Sequence, residues 1–172
     1  MKKQLLLLLI AASALLVSFN YADSWVNYVS HEGHFSITFP GKPQESAEDN
    51  FTADSVAFKI HYASYSPTDN EVYMVGWLDM AKFYPEGKTI KQMLEDSRDG
   101  AAESMKATDV KTLATNLGTQ PYVEFTFKTG EFMGKDRIYI INKFQYSVVT
   151  IFSNTAGISA KADKFITSFK HL

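Results

Sequence analysis

The 172-residue chain contains no cysteine. That excludes a disulfide framework, a thiolate nucleophile and a cysteine-held metal, and it excludes lipid attachment to a cysteine at a signal-cleavage site. Stability must therefore come from an apolar core. Proline and glycine are few, 5 and 9, and neither an internal repeat nor a low-complexity block interrupts the chain. Dense basic runs are missing as well, which sets nucleic-acid binding aside. The nucleophile signatures G-x-S-x-G and S-x-x-K do not occur. A serine triad built from distant residues is recognised by geometry and has no signature to look for here.

What is present begins with a leader. Lys2 and Lys3 precede an apolar run from Leu5 through Val17, the basic and hydrophobic regions of a secretory signal peptide. The run is shorter than the roughly 20 residues a spanning helix needs, so removal is expected rather than anchoring. Ala12-Ser13-Ala14 fits the small-x-small cleavage pattern, but cutting there would leave Leu15-Leu16-Val17 exposed at the new terminus. Cleavage after Ala22 is preferred, giving a signal peptide of 1–22 and one mature domain of 23–172. The expected address is periplasmic or extracellular, with a soluble mature chain that has no membrane span. Removing Lys2 and Lys3 from the 17 basic side chains leaves 15 against 19 acidic ones, a net charge of −4. The mature chain is long enough for one sizeable core, and 13 Phe, 9 Tyr and 2 Trp are available to fill it.

Hydrophobic periodicity supplies the elements. Phe35-Ser36-Ile37-Thr38-Phe39 alternates strictly, as a strand with one wet face does, and Pro40 ends it. The stretch from Pro40 to Asn50 reads as a mobile loop. Val56, Phe58, Ile60 and Tyr62 mark a second half-buried strand. The stretches 72–78, 138–141 and 146–152 are apolar on both faces, which requires cover on both faces. Ile90, Met93, Leu94, Ala101 and Met105 follow helical spacing behind a Thr89/Gln92 capping box. Ala162, Phe165, Ile166 and Phe169 form a second stripe with Ser159 as its N-cap. Residues 113–128 read as strands broken near Gly118–Pro121, and 131–135 as a hairpin or bulged turn. Short turns between strands make the sheet antiparallel, and the predicted class is α+β, an antiparallel sheet sandwiched by helices in three layers.

That order resembles the Mog/PsbP-like superfamily. The resemblance is carried by Glu32-Gly33-His34-Phe35-Ser36-Ile37-Thr38-Phe39-Pro40, the middle amphipathic helix, the hairpin Gly134-Lys135-Asp136-Arg137-Ile138-Tyr139 and the ending Ala162-Asp163-Lys164-Phe165-Ile166-Thr167-Ser168-Phe169. It implies a helix-covered antiparallel sheet, and a family whose members act mostly by binding partners or supporting assemblies. These motifs are packing and turn residues, and they imply no activity.

Several constellations invite chemistry. Gly87-Lys88-Thr89 imitates the end of a phosphate-binding loop, but Lys82 stands where that loop needs its first glycine, so a helix start is the better reading. His31 and His34 lie at H-x-x-H spacing, with Glu32 between them and His61 on the second strand. Three imidazoles brought together would hold zinc or copper; left apart, they flank a turn and face solvent. The acids Glu45, Glu48 and Asp49, and Glu95, Asp96 and Asp99, fit solvated surfaces better than the opposed carboxylate pair of a glycosidase. Asn50-Phe51-Thr52 matches a glycosylation acceptor, which matters only in a eukaryotic secretory path. Trp25 and Tyr28 precede the first firm strand, either as a short edge strand packed on the fold or as an exposed partner-binding arm. The leading expectation is a non-enzymatic exported binding or assembly module that engages a protein or envelope partner, without a cofactor. A small-ligand or metal-binding protein and an envelope hydrolase are the alternatives.

Overall fold

A computed structural model describes residues 25–153 and 158–172. The proposed leader and its cleavage point lie outside the described residues. Ten strands and two helices follow in the order β1 (Val26–Ser30), β2 (Phe35–Phe39), β3 (Gln44–Phe51), β4 (Ala57–Thr68), β5 (Glu71–Asp79), α1 (Ile90–Ser104), β6 (Thr108–Asn116), β7 (Tyr122–Thr129), β8 (Phe132–Ile141), β9 (Phe144–Ser153), α2 (Ala160–Thr167) and β10 (Lys170–His171). Seven strands make one antiparallel sheet in the order β3-β4-β5-β9-β8-β7-β6, and a small sheet runs β1-β2-β10. No described helix is long and apolar enough to cross a membrane.

The central strands are apolar on both faces, and each face has its own core. On one side Met93 and Leu94 of α1 pack with Val123, Phe125, Phe127, Ile138, Ile140 and Val149. Helix α1 starts where its sequence dictates: Gln92 N donates to Thr89 Oγ1 (3.3 Å) and Thr89 N donates to Gln92 Oε1 (2.9 Å), the reciprocal capping box. Gly87 takes φ +83° and Lys88 Nζ turns to Asp96 (2.6 Å), so Gly87-Lys88-Thr89 is a helix entry.

The other face departs from the expected helical layer. Eight residues of α2 span about 12 Å, whereas seven strands are about 29 Å across, so α2 cannot cover that face alone. The small sheet completes the cover. Phe35, Ile37 and Phe39 of β2, all 0% exposed, pack with Phe165, Ile166 and Phe169 against β5, β8 and β9. Sheets dominate, with a helix over one face and a mixed strand-and-helix cover over the other.

Three further expectations change. Residues 44–50, within the stretch read as a loop, belong with Phe51 to β3, paired with β4 from Gln44↔Ser64 to Phe51↔Ala57. An edge strand that buries almost nothing leaves no hydrophobic period, and its acids suit an exposed edge. Ser159 occupies the N-cap position of α2, yet its side chain makes no capping bond. The β7–β8 turn falls at Gly130 (φ +57°) and Glu131, closed by Thr129↔Phe132, and Gly134 is a strand residue facing Phe127.

Register defines the row that leads to the site. Ala47, His61, Trp77, Tyr146, Tyr139 and Tyr122 stand directly opposite one another across six neighbouring strands, so they share one face. Phe35 and Phe169 cover the middle of the row: Phe35 lies 5.2 Å from Trp77, and Phe169 lies 5.1 Å from Tyr146 and 4.6 Å from Tyr139. At β4 and β3 the row runs past β1, the outer strand of the small sheet.

Candidate functional site

Where the two sheets part, a cleft of about 320 Å³ opens between Tyr28–Glu32 on one side and Glu45–Ala47 with His61 on the other, with Trp77 also among its lining residues. β1 ends the order of the small sheet and β3 ends that of the large one, so two outer strands flank the cleft. Residues 28–30 and 45–47 line it consecutively. Neighbours in a strand point to opposite faces, so consecutive lining residues mean that the cleft meets strand edges as well as faces.

The turn that presents His31 and Glu32 is anchored to the core. Gly33 N donates to Ser30 Oγ (2.9 Å), and the Tyr146 hydroxyl donates to the Gly33 carbonyl (2.8 Å). A Cβ at residue 33 would stand 2.7 Å from Phe35 Cε1 and 2.9 Å from Trp77 Cδ1, so only glycine lets the turn sit this close. Glu32 then reaches across the cleft: its Oε1 lies 3.4 Å from His61 Nε2. The His61 ring stacks on Trp77 with centroids 5.3 Å apart and planes at 18°. Trp77 is 5% exposed, and its indole Nε1 has no hydrogen-bond partner among the described residues.

Charge in the cleft is negative. Its lining residues include Glu32 and Glu45 and two histidines, but no lysine or arginine. The field reaches Tyr28, whose phenol is pushed up to about 12, first by burial, then by the Glu45 carboxylate beside its hydroxyl, with Glu32 adding to it and Ser30 opposing. Tyr62 is also raised, by burial and then by Glu48. A second cleft of about 300 Å³ adjoins the first and shares Glu32, His61 and Trp77, but its rim carries Lys59 and Lys82.

The histidine trio is divided. His31 and His61 line the cleft, whereas His34, at φ +54°, sets its ring 5.5 Å from that of Phe144. His34 also neighbours His171, whose pKa is lowered by burial and then by the His34 charge. Among the described residues no three His, Asp or Glu side chains are placed to share a metal ion. Trp25 packs edge-on to Tyr73 (6.4 Å) beneath Lys164 Nζ (4.0 Å), and Tyr28 lies 6.0 Å from Phe35 and 5.9 Å from Phe39. Both are partly buried on the core, with Tyr28 also at the cleft wall. The α1 acids are ion-paired at the surface, Glu95 with Lys91, Asp96 with Lys88 and Asp99 with Arg98.

Sequence reasoning passed over two cleft residues. In sequence Glu45 reads only as a solvated loop acid, and the apolar faces of 72–78 mark Trp77 only as core. The pairing register, not the sequence, puts His61 opposite Trp77.

No protein-family model matches this sequence, and a search of curated proteins finds no match. Among solved structures, the solution structure of cyanobacterial PsbP (CyanoP) from Synechocystis sp. PCC 6803 is similar, with a TM-score of 0.55 at 10% identity, covering 92% of this chain and 99% of that one. At that identity the likeness is one of fold, and the fold is PsbP-like.

Proposed function

We propose that this chain is exported and serves as a non-catalytic binding or assembly module, recognising a protein partner at the cleft between β1 and β3. The observation that carries this reading is the cleft itself: a negatively charged opening between two outer strands, the turn on one side of it anchored to the core by the Ser30, Gly33 and Tyr146 contacts. Preorganised rims of this kind suit recognition, because little ordering entropy remains to be lost on binding. The surroundings of His61 favour binding over catalysis. Its contacts among the described residues are with the Glu32 carboxylate and the Trp77 indole ring, and no hydroxyl that a general base would activate is hydrogen-bonded to it there. The resemblance carried by the sequence motifs implies the same class of role, and the leader at residues 1–22 supports export.

The test is to recover the protein from its native cells after reversible crosslinking and to identify both its N-terminus and its companions by mass spectrometry. The reading expects a chain beginning at Asp23, outside the cytosol, joined to one reproducible partner. An unprocessed cytosolic chain overturns export. Tight retention of a small molecule with no specific partner overturns partner recognition.

A further inference from the structure

Resting on that reading of the cleft, we infer that its partner is an extended segment carrying lysine or arginine, which lies along the open edge of β3 and directs a basic side chain toward Glu32 and Glu45. Three features of the molecule meet here. β3 is the last strand of the seven-stranded sheet, so alternate N–H and C=O groups along its outer side are available to a further strand. Its first four residues, Gln44 to Ala47, are exposed, and 45–47 line the cleft, so an added strand would run beside it. The cleft lining carries Glu32 and Glu45 but no lysine or arginine, and both carboxylates raise the Tyr28 phenol that lines it with them.

The same charges select among occupants. A second copy of this chain pairing β3 to β3 would bring Glu45 and Glu48 of each copy toward their like, and like charges set opposite each other are destabilising. An acidic segment meets the same repulsion. A basic segment gains both the edge hydrogen bonds and charge complementarity, which speeds encounter and rejects wrong partners. The neighbouring Asp49 is already paired with Lys59 (2.9 Å), whereas Glu45 lies beside the Tyr28 phenol in a cleft lining that holds no lysine or arginine. A lysine or arginine supplies the counter-charge that the cleft lining lacks.

Three capped pentapeptides titrated into isotope-labelled protein, followed by amide chemical shifts, test this: Thr-Lys-Thr-Lys-Thr, its counterpart with both lysines acetylated, and Thr-Glu-Thr-Glu-Thr. The lysine peptide should shift amides of 28–32 and 45–47 saturably, and the other two should not. In the Glu32→Gln/Glu45→Gln double variant, with its fold verified by the unchanged remainder of the spectrum, the affinity should fall by about tenfold or more, as should wild-type affinity when salt is raised severalfold. Equal response to the acetylated or acidic peptide, shifts confined to the acids of α1, indifference to the double variant, or no shifts up to millimolar peptide each overturns the inference. Concentration-dependent dimers formed through β3 overturn it too. If crosslinking finds a partner that enters the cleft through a segment without lysine or arginine, the inference falls while partner recognition at the cleft stands.

Discussion

The Ser147 hydroxyl oxygen lies 2.9 Å from Oδ2 and 3.1 Å from Oδ1 of Asp136, a carboxyl that is 1% exposed in the layer beneath α1. Its strand neighbours in register are Phe125 and Val149, both buried in the α1-side core. Burial pushes the Asp136 carboxyl up to about 7, and Ser147 and the Arg137 backbone N–H offset only part of that.

A pH dependence follows. Because the folded pKa lies above the ordinary 3.8, the folded state holds this proton more tightly than the unfolded chain does. The contribution is fully present below the unfolded pKa and is lost as pH rises toward about 7. Asp136→Asn keeps an acceptor for Ser147 and removes the titration. Thermal melts between about pH 4.5 and pH 8.5 should show the wild type losing stability relative to the variant, on the order of a few kcal/mol, with the gap levelling above pH 7. Parallel curves would mean that folding does not raise the Asp136 pKa.

Gly134 tests the packing of the α1-side core. A Cβ there would stand 2.1 Å from Phe127 Cζ, and Phe127 is 1% exposed. Gly134→Ala should cost roughly 1–3 kcal/mol by overpacking, read as a lower urea midpoint. Phe127→Ala should cost roughly 3–5 kcal/mol through its cavity. In the double variant the alanine methyl enters that cavity, so the combined loss should be smaller than the sum. Additive losses would contradict the contact.

The charges at the α2 end divide into one that matters and one that does not. Glu124, 6% exposed, accepts from Arg137 Nε (2.6 Å), from the Arg137 terminal nitrogen and from Lys135 Nζ (2.9 Å). Asp163 meets the same Lys135 at 2.8 Å from an exposed site. Glu124→Ala should destabilise by about 3 kcal/mol, because it leaves the half-buried Arg137 without its carboxylate and Lys135 with the exposed Asp163 alone. Asp163→Ala should cost less than about 1 kcal/mol. Similar midpoints for the two variants in denaturant would contradict this placement.

Much of the fold was legible because burial writes periodicity into sequence. Phe35, Ile37 and Phe39 announced β2, and Thr89 with Gln92 announced the start of α1, where local chemistry suffices. β3 was not legible, since an outer strand such as Gln44–Phe51 buries little and its acids look like those of a loop. Nor was the strand-and-helix cover: β10 is two residues long, and its pairing with Ser36 and Phe35 joins distant parts of the chain. The site was half visible. His31, Glu32, His61 and Tyr28 could be named as chemically suggestive residues, but the departure of His34 depends on one positive φ. The arrival of Glu45 and Trp77 depends on the pairing register of β3, β4 and β5, which periodicity alone does not fix.

Recognition at the β1–β3 cleft is tested most directly by photocrosslinking in native cells from two exposed positions, His31 at the cleft and Lys91 on α1. With a photoreactive amino acid at residue 31 the protein should capture one reproducible partner, and Glu32→Gln/Glu45→Gln should abolish that band, while residue 91 should not produce it. The same band from both positions, or none from residue 31, would contradict the account.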